Sequence, residues 1–244
     1  MKRHCVIALA ALMVIPCLAR AQSGADWGPR FRITPFVGIS PVAHQDGIAF
    51  TSSAGVITRR PYRFELDSSL PLGVNAEYHV WNRFSIIGEG VWSSRSSATL
   101  EDVQAATIDT VTGTNLWMAK VAAALRLRED NPDMQLNRMN GSIFVGPAYI
   151  RDAPKVEFNT PALSQSAVSQ FGLNMGADAE LPLANNRLAL QLGFEDYMIF
   201  WDEAGYSTRL QGFFQQGNPS IDGAAIDADN TNVWIARVGV TFRF

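Results

Sequence analysis

The chain has 244 residues, 20 basic against 23 acidic side chains, 47% apolar residues and two cysteines. A mildly acidic balance without a basic run gives no electrostatic footprint for nucleic acid. Two cysteines allow at most one disulfide, and the length suits one all-β domain.

The first 21 residues, "MKRHCVIALAALMVIPCLARA", carry Lys2 and Arg3, then an apolar run from Val6 to Leu18, then the small-x-small tripeptide Ala19-Arg20-Ala21. That is the pattern of a cleaved secretory signal, too short to span a bilayer as a helix. A lipidated Cys17 fits less well, because Pro16 stands where a small residue should precede it. Residues 1–21 are therefore expected to leave, with 22–244 forming the mature domain. Both cysteines, Cys5 and Cys17, leave with the signal. So do Lys2, Arg3 and Arg20, leaving 17 basic against 23 acidic residues.

Beyond the signal no apolar run is long enough for a membrane helix. Segments of alternating character recur instead. The stretch 30–40 is a moderate strand candidate. In "SLPLGVNAEYHV", Leu70, Leu72, Val74, Ala76, Tyr78 and Val80 share one face, and Gly73, Asn75, Glu77 and His79 the other. Less regular candidates follow at 84–96, 113–128 and 141–151. In "SQFGLNMGADAEL", Phe171, Leu173, Met175, Ala177, Ala179 and Leu181 oppose Asn174, Gly176, Asp178 and Glu180. Leu188, Leu190, Leu192 and Phe194 oppose Gln191, Gly193, Glu195 and Tyr197. In the last segment Trp234, Ala236, Val238, Val240, Phe242 and Phe244 oppose Arg237, Gly239, Thr241 and Arg243. Eight strands are predicted.

The connections alternate in length. Those at 81–83 and 183–186 are tight and 129–140 is moderate, whereas 41–68, 97–112, 152–168 and 201–229 are long and polar. Short turns on one rim and long loops on the other mark a membrane barrel with its short side facing the periplasm. The faces agree. A soluble lipid-binding barrel is apolar inside, whereas here the continuous apolar face opposes one bearing Gly, Asn, Glu, Asp and Arg, which reads as too polar for a dry core. Trp81, Phe84, Trp92, Trp117, Tyr149, Phe200, Trp201, Trp234, Phe242 and Phe244 fall at segment ends, as interfacial girdles require. The expected fold is all-β: an eight-stranded antiparallel up-and-down transmembrane β-barrel with short periplasmic turns and long extracellular loops.

The terminal "VTFRF" resembles the C-terminal signal of bacterial outer-membrane barrels, and the whole pattern resembles the small eight-stranded family that includes the OmpA membrane domain, OmpX and OmpW. The resemblance implies export to the outer membrane of a diderm bacterium. It implies outer-membrane lipids and the barrel-assembly machinery as partners, and Val240, Phe242 and Phe244 as the assembly signal. No domain is expected after Phe244.

Eight strands enclose a lumen just wide enough for side chains to fill, so interior charges should be paired. The predicted lumen network is Glu77, Glu89, Lys120, Arg126, Asp178, Glu180, Glu195, Arg237 and Arg243. Glu89 with Lys120 and Glu195 with Arg237 lie at matching heights. The remaining five lie nearer the periplasm, and such a network is expected to plug and rigidify the barrel, with a proton or ion path as the alternative.

No catalytic residue, cofactor or metal ligand is expected. Nucleophilic catalysis needs a serine within reach of a histidine base. The histidines beyond the signal are His44, in a predicted loop, and His79, beside Glu77, whereas the serines of "SSRSS" (93–97) belong to the opposite rim. Asp222, Asp227 and Asp229 offer oxygens for Ca²⁺, but the spacing lacks the closing bidentate Glu. Phe50, Phe213 and Phe214 are expected to cap the mouth. The leading expectation is a non-enzymatic protein with a structural or surface-interaction role. The alternative is a narrow porin-like or OmpW-like passage for small or hydrophobic solutes, and the third is a lipid-modifying enzyme.

Overall fold

A computed structural model describes residues 31–81, 83–94, 97–102, 107–112, 114–127, 139–154, 167–183, 187–200, 202, 204–205, 207–208, 211, 220–228 and 230–244. The signal at 1–21, the side chains of His44 and Trp81, and Trp201, Phe213, Phe214 and Asp229 lie outside the described residues.

Among the described residues there are thirteen strands: β1 (Phe31–Ile39), β2 (Ala43–Ser53), β3 (Val56–Leu66), β4 (Leu72–Trp81), β5 (Phe84–Ser94), β6 (Ser97–Asp102), β7 (Thr107–Thr112), β8 (Thr114–Arg126), β9 (Asn140–Pro154), β10 (Val168–Pro182), β11 (Leu188–Phe200), β12 (Ile221–Ala228) and β13 (Thr231–Arg243). Eight of them close into a barrel in the order β1-β13-β11-β10-β9-β8-β5-β4, with β1 pairing antiparallel to both β13 and β4. These are the eight strands expected from the alternation. The seam is sealed to its tip, since Phe244 N donates to Phe31 O at 2.9 Å and Phe31 N to Phe244 O at 3.4 Å.

The sequence reading fails at three of the four long connections. Residues 41–68, 97–112 and 201–229 are not plain loops. Their β2, β3, β6, β7 and β12 assemble a separate five-stranded sheet, ordered β12-β2-β3-β6-β7. Its central hairpin turns at Ala54 and Gly55, with φ of 51° and 78°. Two left-handed residues form the type I′ turn whose twist matches the flanking strands, and glycine adopts it without a Cβ clash.

The barrel wall obeys the period of two. Along β13 burial alternates without a break, Val238, Val240 and Phe242 lying outward at 38–41% exposure while Arg237, Thr241 and Arg243 are buried. Outward aromatics meet in pairs along the wall: Trp92–Trp117 and Tyr149–Phe171, Phe194–Trp234 and Phe31–Phe244, with ring centres 5.8–6.3 Å apart. An apolar surface of this kind needs lipid around it.

The interior corrects a second expectation. Toward the end that carries the extra sheet, Val91, Leu116, Met118, Ile150, Ile199, Val233 and Ile235 point inward and form a buried apolar cluster. A dry core does exist there. The charge-rich part of the lumen lies toward the short turns, while at the sheet end Ser93, Asp152, Gln170 and Thr231 are buried beside the apolar cluster.

Candidate functional site

The polar lumen is built in two tiers. In the upper tier Glu89 on β5, Lys120 on β8, Asp178 on β10, Glu195 on β11 and Arg237 on β13 converge with side chains 0–3% exposed. Lys120 Nζ lies 3.0 Å from Glu89 Oε1 and also bonds Glu195. Arg237 bonds Glu89 across the lumen, approaches Glu195 Oε1 at 3.5 Å and donates to both oxygens of Asp178 at 3.0 Å. Neutral groups complete the set. Asn75 Nδ2 donates to Glu89 Oε2 at 3.1 Å, Tyr197 Oη to Glu89 Oε1 at 2.8 Å, and Gln191 Nε2 to Asp178 Oδ2 at 3.2 Å.

Two rings cover the cations. Lys120 Nζ stands 4.2 Å from the centre of Phe144 on β9, and the guanidinium of Arg237 stands 4.7 Å from that of Phe36 on β1. Each cation over a ring face gains further attraction in a desolvated site. All eight barrel strands thereby contribute to one belt. Gly193 makes room for it, because a Cβ there would sit 2.1 Å from Asp178 Oδ1 and 2.7 Å from Arg237 Nε.

The lower tier lies by the short turns. Arg126 Nε donates to Glu77 Oε1 at 2.9 Å, and Arg243 Nε to Glu180 Oε1 at 3.2 Å. Arg32 Nη1 reaches Glu77 and Glu180, each at 3.6 Å. Three carboxylates face two cations in the upper tier, and three guanidiniums face two carboxylates in the lower. The excess charges are equal and opposite.

The structure thus brings together Glu89, Lys120, Asp178, Glu195 and Arg237 in one tier, and Glu77, Arg126, Glu180 and Arg243 in the other. Asp178, grouped by sequence with the lower set, belongs to the upper. Glu89–Lys120 and Glu195–Arg237 are contacts, but not isolated pairs. Arg32, Asn75, Asn174, Gln191 and Tyr197 join the network beyond the residues expected from the sequence. Arg32 was findable, since in "FRITPF" it shares parity with Thr34 and Phe36, all three buried. Of the assembly-signal residues, Val240, Phe242 and Phe244 all lie outward on the wall.

Other chemistry finds little support among the described residues. Ser85 stands opposite His79 in the β4–β5 register, a neighbour the sequence reading passed over. Ser85 is only 2% exposed, and Glu77, the acid that would orient His79, is engaged by Arg126 and Arg32. Asp222 and Asp227 lie on β12 five residues apart, which separates them by roughly 16 Å along the strand. They cannot share an ion.

No family model and no curated protein matches the sequence. Among solved structures, the outer membrane protein OprG from Pseudomonas aeruginosa superposes with a TM-score of 0.65 at 10% identity, covering 89% of this chain and 97% of that one. The chain has the fold of a small eight-stranded outer-membrane barrel. Looser likenesses are the solid-state NMR structure of outer membrane protein AlkL, with a TM-score of 0.47, 11% identity and coverage of 91% and 94%, and the N-terminal barrel domain of Pseudomonas aeruginosa OprF, with 0.44, 10%, 89% and 99%. At these identities the barrel fold is what is shared. The likeness and the lipid-facing wall together support an outer-membrane location.

Proposed function

We propose that this barrel is a non-enzymatic outer-membrane protein with a sealed lumen, serving envelope structure and surface interaction through the sheet above its rim. Residues 1–21 act as its cleaved signal and 22–244 as the mature barrel domain. The observation that carries the reading is the upper charge tier. A belt of five desolvated, mutually paired charges from five strands lies across the lumen, with Val91, Met118, Ile150, Val233 and Ile235 beyond it, so an ion on the axis would have to break these pairs to pass. The same belt cross-links the barrel wall, as a structural role requires.

Single-channel recording in planar bilayers tests this. The intact protein should show no sustained conductance, and Lys120→Ala or Arg237→Ala should open intermittent leaks. Steady conductance in the intact protein, unaltered by either substitution, would make these charges the lining of a permanent pore and give the transport reading first place.

A further inference from the structure

On the outside of the wall a groove of about 1010 Å³ runs over β4, β5, β8 and β9, lined by Val74, Gly90, Trp92, Trp117, Tyr149 and Arg151, with inward-facing Phe36 and Met118 in its floor. Gly90 of β5 lines it, and Gly88 lies two residues below on the same strand. Gly88 and Gly90 both lie on the outward parity, and a Cβ at either would meet no atom within 4 Å. Inward glycines such as Gly146 and Gly193 meet the packed lumen, and a Cβ on outward Gly141 of β9 would meet Leu127 at 2.9 Å. A strand glycine with empty space before it weakens the strand without a packing reason, and such positions mark close approach by something else.

The charge pattern says what approaches. On the outward parity of the eight barrel strands, Arg151 and Asp196 are the charged residues. Arg151 is exposed, lies toward the sheet end and stands next to Trp117 in the β8–β9 register, with Trp92 next to Trp117 in turn. An arginine on a lipid-facing wall is costly except near the interface, where it meets anionic headgroups. A trough of bare backbone, an indole pair at one end and a guanidinium at that same height fit an acyl chain with a phosphate at its head. The sheet end faces outward in the reading given above, so the leaflet concerned is the glycolipid one.

We propose that this groove binds one molecule of lipid A, its acyl chains lying over Gly88 and Gly90 and a phosphate on Arg151. The inference rests on the outer-membrane orientation but not on the sealed lumen.

Native mass spectrometry of the full folded barrel tests it, after incubation with lipid A, with lipid A stripped of its phosphates, or with phosphatidylglycerol. One lipid A should be retained per barrel, and removing its phosphates should weaken retention roughly fivefold to tenfold, the weight of a charge-assisted contact at an interface. Arg151→Gln should bind both forms of lipid A alike and weakly. Gly90→Leu should lose both, while Ala236→Leu on the far wall should match the parent. Gel mobility reports whether each variant is folded. If Gly90→Leu fails to fold, Arg151→Gln at its exposed site still decides the matter. Equal retention of the phosphorylated and stripped forms, equal retention of phosphatidylglycerol, or a phosphate preference that survives Arg151→Gln would each overturn the proposal. Conductance recorded on the same samples separates the two readings: an open lumen with the preference intact sinks only the plug, and a closed lumen without the preference sinks only the lipid site.

Discussion

Arg237 touches three carboxylates at once, and only an arginine can do so from this position. One terminal nitrogen, Nη2, donates to both oxygens of Asp178 while the other, Nη1, meets Glu89 and Glu195. Lysine offers a single charged point and cannot reproduce that geometry. Arg237→Ala should therefore destabilise the barrel by roughly 3–5 kcal/mol, because it leaves buried carboxylates uncompensated. Arg237→Lys should recover only part of this, with urea unfolding in lipid vesicles as the measurement. Replacing Glu195 and Arg237 together looks cheap if they form an isolated pair. The structure says otherwise, since Asp178 then loses its guanidinium. The double variant should remain destabilised, and adding Asp178→Asn should restore most of the loss. Strand parity was enough to place these charges inside the barrel, because alternation carries facing. Partners were harder to read. Glu89 and Lys120 are in register on adjacent strands and were legible, whereas Lys120–Glu195 and Arg237–Glu89 cross the lumen and depend on how the barrel closes.

Strands show themselves in a sequence to the extent that one face is buried and the other is not. β4, β10, β11 and β13 alternate clearly and were read nearly to their ends. β2, β6 and β7 remained hidden because "AHQDGIAFTSS", "SATLED" and "TIDTVT" bear no apolar face. They are held by ladder hydrogen bonds above the rim and not by packing into lipid. The apolar half of the lumen was hidden for the opposite reason: in "NVWIAR" both parities are apolar, Val233 and Ile235 facing in while Trp234 faces out. Two predictions belong to this level. Val240→Lys puts a charge into lipid and should destabilise by about 2–4 kcal/mol. Gln191→Lys should be much milder, because Asp178 Oδ2 already lies 3.2 Å from the Gln191 amide nitrogen. If Val240→Lys were the milder change, the wall would be read inside out. Replacing residues 43–66, the β2–β3 hairpin, by a short turn should leave a heat-modifiable barrel, since the barrel strands are paired to one another without it.

The whole molecule is closed by residues from its two distant ends. β1 and β13 pair across Ile33–Phe242 and Phe36–Gly239, Thr34 and Thr241 share a hydroxyl contact of 2.9 Å inside, and Phe31 and Phe244 exchange backbone hydrogen bonds and pack ring against ring outside. Contacts of such sequence separation form late, because loop-closure entropy opposes them until most of the chain is ordered. Removing Phe244 should therefore impair assembly while leaving export and removal of residues 1–21 untouched, as fractionation and N-terminal sequencing from Gln22 would show. Two causes can produce that defect, and the side chain separates them. Phe244→Ala keeps both backbone hydrogen bonds to Phe31 and deletes only the ring. If the seam needs just its ladder, that variant should assemble like the parent. If Val240, Phe242 and Phe244 are read by the assembly machinery as alternating apolar side chains, Phe244→Ala should fail nearly as badly as the deletion in cells, and Phe244→Tyr should rescue it. Refolding the purified variants from urea into vesicles, where no machinery is present, completes the test. A recognition signal predicts that Phe244→Ala folds there at close to the parental rate, whereas equal impairment in vesicles and in cells would assign Phe244 to the seam alone.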